Sequence, residues 1–251
     1  MNLEESLALH ASGPKEWNRW AAATIDRRDA LVAAGQWAWA YDSRADVYPA
    51  NEATGKWWQE ATAQFSYHEF VEPVDFSGFM FPSHGLFVMA KFPQGARFSM
   101  AQFLEGASFN YAQFGDAAEF ENAEFRSEAG FRSATFLSGA RFDGCRFGPA
   151  EREPAGDGSL DLSSARFFKP CSFVDIRCTG RVVLTETEFS GSANFDGASV
   201  ERMFFLWDTR FRGEISFSGA RLPADTDWSA ATFAVPPRLP RRAGRHRPVR
   251  D

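Results

Sequence analysis

From residue 65 onward, one apolar residue recurs at gaps that alternate strictly between five and six. The first run is Phe65, Phe70, Phe76, Phe81, Phe87, Phe92, Phe98, Phe103, Phe109, Phe114, Phe120, Phe125, Phe131, Phe136, Phe142 and Phe147. After an interruption the beat resumes as Leu162, Phe167, Phe173, Cys178, Leu184, Phe189, Phe195, Val200, Leu206, Phe211, Phe217, Leu222, Trp228 and Phe233. Gaps of five and six fit neither the 3.6-residue period of an α-helix nor a heptad. A chain that places one large apolar group inward every fifth or sixth residue turns at each step and stacks its turns, as a solenoid does.

A second register supports this reading. Ala90, Ala96, Ala101, Ala107, Ala112, Ala118, Ala123, Ala129, Ala134 and Ala140 each stand two residues before a centre, and Cys145 continues the series. Residues i and i−2 of an extended backbone point to the same side, so each unit is a short strand with one small and one large residue facing in. Ser, Gly, Asn, Asp and Arg fill the remaining positions, as corners and solvent-facing sites require. The 27 Phe of this 251-residue chain, against 4 Tyr, are explained by that demand for inward rings.

Charge fixes the number of sides. The residue before each centre points outward, and at a spacing of 22 these positions read Asp75, Arg97, Glu119, Arg141 and, further on, Arg166, Glu188, Arg210. The sign alternates at every step within each run. Four sides (5+6+5+6) make these residues neighbours on adjacent strands, where opposite charges contribute about 0.2–1 kcal/mol per pair. A coil of half that length would separate them by roughly 10 Å.

Units such as Gly95-Ala96-Arg97-Phe98-Ser99, Gly106-Ala107-Ser108-Phe109-Asn110 and Gly139-Ala140-Arg141-Phe142-Asp143 resemble those of pentapeptide-repeat proteins. Their motif is a small residue, a polar residue, a central Leu or Phe, then two small or polar residues. The resemblance spans 65–233 and implies a right-handed quadrilateral β-helix of about seven coils. The sixth residue in alternate units resembles the Phe-rich branch of the family and is expected at a corner. Trp17-Asn18-Arg19-Trp20 resembles a WNxW stretch that often precedes such repeats.

The expected fold is therefore an all-β solenoid over 65–233 with a small, mainly helical N-terminal cap over 1–64. A solenoid end exposes an apolar cross-section and unpaired strand edges, so it needs a cap. A helix opening at Ser12 or Pro14 runs through Trp17, Trp20, Ile25 and Leu31, and Gly35 breaks it. Six of the eight Trp fall in the cap: Trp17, Trp20, Trp37, Trp39, Trp57 and Trp58. They are expected to cover the first Phe-lined coil; the alternative is an aromatic ligand cage. Nine extra residues between Phe147 and Leu162 read as a loop insertion over 148–160 that leaves one corner without breaking the stack. Residues 234–251 carry six Arg and one Asp and read as a disordered Pro/Arg-rich tail with at most weak contacts to nucleic acid. The coil around Trp228 and Phe233 has no evident cap, which leaves that end open to pairing with a second copy.

Catalytic chemistry is not visible. His10, His68, His84 and His246 are scattered, with no metal-ligand spacing to a cysteine. Cys145 and Cys171 occupy the inward small position and Cys178 an inward centre, so the thiols read as core rather than as a metal or redox pair. Glu119 and Glu121 are outward alternates of one strand, a solvated face and not an acid/base pair. No phosphate-cradling loop or nucleophile elbow occurs. No cofactor is expected, and no catalytic, metal or binding residue is assigned.

No apolar stretch approaches the ~18 residues of a membrane span. Met1-Asn2-Leu3-Glu4-Glu5 lacks the basic-then-apolar layout of a signal peptide, and three cysteines do not make a secreted disulfide framework, so a cytoplasmic protein is expected. The net charge is −6, with −3 over 1–64, −8 over 65–233 and +5 over the last eighteen residues. The expected function is a non-catalytic scaffold that binds another protein through its outer faces. Two alternatives are a DNA mimic acting on a type II topoisomerase, which the resemblance implies and the interleaved Arg residues oppose, and a ligand binder or enzyme built on the Trp-rich region.

Overall fold

A computed structural model describes residues 1–41, 47–148 and 158–240. Among the described residues, twenty-seven two- and three-residue strands from Ala63 to Phe233 stack in parallel into four sheets, the faces of a β-helix of about seven coils. Face I runs from Ala63–Gln64 to Met203–Phe205, face II from Lys91–Phe92 to Ala231–Phe233, face III from Val74–Asp75 to Ile215–Ser216, and face IV from Met80–Phe81 to Ser199–Val200. Register advances by 22 residues, as in Ala118↔Ala96 and Ala118↔Ala140.

The centres form four interior ladders. Successive Phe rings along a ladder stack with centroids 4.4–5.2 Å apart and planes within 0–20° of parallel. Rings on neighbouring faces meet edge-on, as Phe98 and Phe109 do at 5.1 Å and 82°. Both arrangements suit the aromatic quadrupole, at about 0.5–1.5 kcal/mol per pair beyond simple burial.

Corners alternate in kind. In the five-residue steps other than Phe173–Cys178 the centre's carbonyl accepts the N–H three residues on, as Ala101 donates to Phe98 at 3.0 Å. The residue two past the centre is left-handed, for example Met100 (φ 59°) and Asn122 (φ 57°). The six-residue steps spend the extra residue at the intervening corners, where the sequence placed it.

The insertion keeps the stack intact. Phe147 still lies 5.2 Å from Phe125, and Ala129 pairs with Leu160. Its neck is closed by two glycines: a Cβ on Gly158 would sit 1.9 Å from the Gly148 Cα. Residues 149–157, most of the 148–160 loop, lie outside the described residues.

Three helices precede the solenoid: α1 (Leu3–Ala11), α2 (Pro14–Ala33) and α3 (Glu52–Ala61). A hairpin pairs Trp39–Tyr41 with Val47–Pro49 between α2 and α3. Pro14 opens α2 behind Gly13, and Gly35 (φ 67°) follows its end, as expected. Helix α1 was not foreseen; it begins with a capping box in which Asn2 and Glu5 exchange side-chain to backbone bonds.

The cap substitutes for a missing coil. Trp17 is fully buried against Phe65 and Phe81, and its Nε1 donates to Met80 O at 2.7 Å. Asn18 donates to Gly78 O at 3.0 Å and accepts the Met80 N–H at 2.9 Å, as a neighbouring strand would. Ser6 Oγ accepts the Gln64 N–H at 3.0 Å. The open edges of faces IV and I are thus satisfied by side chains. Only part of the Trp set covers the coil, however. Trp17 and Trp20 do so, whereas Trp37, Trp39 and Trp57 pack among themselves, with Trp37–Trp39 at 5.7 Å and Trp37–Trp57 at 4.9 Å.

The far end is also covered, contrary to the sequence reading. Trp228 packs edge-on against Phe217 at 5.0 Å from a 3₁₀ turn, Trp228–Ala230, and Leu239 packs on the core. Arg238 pairs with Ser216 on face III. A disordered tail beginning at 234 is therefore corrected: backbone bonds to Ile215 and Phe217 hold the segment at Arg238. Residues 241–251 lie outside the described residues.

Candidate functional site

The inward positions are occupied by packing. Cys145, Cys171 and Cys178 are buried free thiols. Burial raises all three, and pushes Cys178 up to about 11. Cys145 Sγ donates to Phe120 O at 2.8 Å, the same bond that Thr187 and Thr209 make at the equivalent inward position to Leu162 O and Leu184 O, both at 2.7 Å. Cys145 is a turn-bracing core residue, and an elevated thiol is a poor nucleophile.

The histidines remain apart. His10 lies over the first coil, 4.4 Å from the Phe76 ring, with Nε2 3.1 Å from Asp75 O. His84 holds a buried Nδ1 with no partner. Desolvation lowers the pKa of His10, His68 and His84 alike. His246 lies outside the described residues. Among the described residues no group of His, Cys, Asp and Glu could hold a metal.

Glu119 and Glu121 are bridged by one guanidinium: Arg141 reaches Glu119 Oε1 at 2.9 Å and Glu121 Oε1 at 2.6 Å.

The outer faces carry the alternating charges in the expected order. Asp75↔Arg97↔Glu119↔Arg141 are direct neighbours on face III, with Arg97–Asp75 at 2.8 Å. On face II, Arg166↔Glu188↔Arg210 are in register, yet Glu188 pairs with Arg212 at 2.7 Å while Arg210 turns to Asp208 at 2.8 Å.

Three surface depressions stand out. One of about 1010 Å³ lies in the cap, lined in part by Leu9, Trp20, Arg27, Trp58 and Leu86. The others, about 650 and 480 Å³, follow the corner between faces III and IV and share Asp175 and Arg177. Exposed apolar groups gather in two places the sequence reading passed over. Tyr67, Met89 and Tyr111 line one corner on successive coils, and Met203, Phe205 and Trp207 lie at the far end of face I. The first set was legible: all three stand two past a centre at a spacing of 22.

No described helix is long and apolar enough to cross a membrane. Residues 109–151 match a family described as Pentapeptide repeats (9 copies). Comparison with curated proteins and with solved structures returned no match.

Proposed function

This chain is a pentapeptide-repeat protein, and on that premise we propose that it is a non-catalytic, cytoplasmic scaffold that binds another protein through its outer faces. The observation that carries this reading is the division of labour along each strand. Inward residues are consumed by ring-on-ring packing, while outward residues form a rigid, patterned surface at one coil per 22 residues. A scaffold of this kind loses little conformational entropy on binding, which favours recognition by surface complementarity.

The charge pattern weighs against the DNA-mimic alternative. A phosphate-like surface needs uninterrupted negative charge, whereas Arg97 and Arg141 neutralise Asp75, Glu119 and Glu121 on face III. Lack of effect in a gyrase supercoiling assay is the expected outcome. The Trp-rich alternative has the cap depression beside Trp20 and Trp58 in its favour. Against it, Trp17 and Asn18 serve the first coil directly.

The test is capture of partners from native lysate with the intact chain, alongside a chain truncated before residue 61. A stable protein partner of the intact chain, with aggregation or unfolding of the truncated one, is the expected result. Robust turnover abolished by a single point substitution would overturn the scaffold reading.

A further inference from the structure

Successive coils turn through a left-handed residue at two of their corners, and one corner carries side chains that suit neither the turn nor water. Between faces III and IV this position reads Gly78, Met100, Asn122, Gly144, Asp175, Gly197 and Gly219. Apart from Met100, these are the residue types that adopt a positive φ most readily. Between faces I and II it reads Tyr67 (φ 64°), Met89 (φ 56°) and Tyr111 (φ 61°) before turning to Ser133, Ser164, Glu186 and Asp208. Bulky side chains are rare in that conformation, and here packing does not offset the strain: Tyr67, Met89 and Tyr111 are 74, 43 and 53% exposed. Of the chain's 4 Tyr, the two that lie in the repeat both stand in this column. Neither makes a ring contact or a side-chain hydrogen bond among the described residues. Strained, exposed groups in line on three coils point to a contact made outside the chain.

Length and charge restrict what fits the stripe. The Tyr67 N–H donates to Val88 O and the Met89 N–H to Asn110 O, so the three residues climb one coil at a time. At the usual strand spacing Tyr67 and Tyr111 stand roughly 9–10 Å apart at the backbone, with the flexible Met89 between them. The small Ser133 ends the stripe in the next coil. The flanks are neutral. Ser66, Val88 and Asn110 lie on the face I side; on the face II side Glu69 and Lys91 cancel each other at 3.3 Å, beside Gln113. The next base, Arg132, is held by Asp161 at 3.4 Å. An occupant matched to this surface is uncharged, apolar and narrow, with an acceptor to offer each phenol.

Resting on the scaffold reading, we propose that the Tyr67–Met89–Tyr111 corner docks a proline-rich segment of the protein partner, in the polyproline II conformation and lying along the solenoid axis. That helix repeats every three residues over about 9.3 Å, so prolines three apart fall on the two rings. Its carbonyls have no internal partner and can accept the phenol O–H groups. A β-strand repeats its same-side residues every ~7 Å and falls out of step, and an α-helix uses its carbonyls internally. Proline rings are apolar and uncharged, which matches flanks that leave no charge to pair.

The probe is a fluorescent decaproline, with a labelled glycine–serine decapeptide and a labelled cello-oligosaccharide beside it, titrated with the intact chain and read by anisotropy. Decaproline is expected to bind with a Kd below about 1 mM, and at least about tenfold more weakly to Tyr67→Asn/Tyr111→Asn. Asn adopts the left-handed turn readily, so this variant is expected to keep or raise the thermal midpoint, which separates the contact from the fold. Tyr67→Phe/Tyr111→Phe keeps the rings without the O–H donors and should fall between the two. Met100→Asn on the other corner should bind as the wild type does. Binding should not weaken between about 50 and about 500 mM salt, because no charge takes part. Decaproline binding that is absent, undiminished in the Asn variant or lost on adding salt would overturn the proposal. So would equal or tighter binding of the glycine–serine peptide or the sugar. Self-association abolished in the Asn variant would also overturn it, assigning the stripe to a second copy. A lysate partner held equally by wild type and Tyr67→Asn/Tyr111→Asn would overturn this site while leaving the scaffold reading in place.

Discussion

Phe204 and Leu206 occupy the two inward positions of one strand with large and small exchanged: the ring sits at the position that Ala holds in earlier coils, and the smaller side chain at the centre. Phe204 meets Phe195 at 6.1 Å and Phe217 at 5.9 Å, both edge-on. The same compensation recurs after the insertion. Leu160 accompanies Leu162, Ile176 accompanies Cys178 and Val182 accompanies Leu184, all buried. In these coils the partner is larger than Ala where the centre is smaller than Phe, which keeps the filling, whereas Val200 and Leu222 retain Ala198 and Ala220.

This exchange is testable as a cycle. Phe204→Ala is expected to cost about 3–5 kcal/mol through the cavity it leaves. Leu206→Phe is expected to cost about 1–3 kcal/mol by overpacking. The double variant restores one large and one small group, so its loss measured by denaturant unfolding should be well below the sum. Simple additivity would contradict the compensation.

Much of this architecture was legible beforehand, for a physical reason. A solenoid repeats one local environment, so the inward ring, its small partner and the alternating Asp75, Arg97, Glu119 and Arg141 each leave a fixed period in the sequence. What was hidden lies where the period stops. Asn18 completes a strand edge from a helix, and no spacing rule joins it to Gly78 and Met80. Trp228, Arg238 and Leu239 close the far end by irregular contacts. The Arg146–Arg177 register was concealed because the insertion sets the two residues thirty-one apart in place of 22.

Glu119 stands between two arginines on adjacent coils, and Glu119→Lys converts that column into three consecutive cations. From about 0.2–1 kcal/mol per cross-strand pair, a loss on the order of 1 kcal/mol is expected at low salt. The loss should shrink in high salt, because exposed charges are screened. Urea midpoints at two ionic strengths check both points.

The edge-capping role of Asn18 predicts that Asn18→Ala destabilises the first coil. It leaves Gly78 O and Met80 N–H without their side-chain partner, at about 1–3 kcal/mol for buried groups and less where water reaches them. Hydrogen exchange at Met80 should accelerate, with little change at face IV amides several coils away. An unchanged Met80 rate would refute that role.

Acid should weaken the protein in two stages. His10, His68 and His84 have folded-state pKa values lowered below 6.5 by desolvation. Their neutral forms suit the fold, so the stability linked to them is full above pH 6.5 and is lost as pH falls through the lowered values. Burial works to raise Asp75, but the Ser77 hydrogen bonds and the Arg97 charge hold it below 3.8, so its contribution is lost only in stronger acid. Thermal midpoints should fall from pH 7 to 5, and His84→Leu should flatten that slope. A pH-independent midpoint across this range would contradict it.

Side-chain oxidation footprinting of the intact chain, with and without its captured partner, tests the scaffold account most directly. Protection is expected on outward residues of one face, recurring every 22 residues between 65 and 233 and spanning several coils. Protection confined to the cap depression around Trp20 and Trp58, with the solenoid faces unchanged, would contradict it.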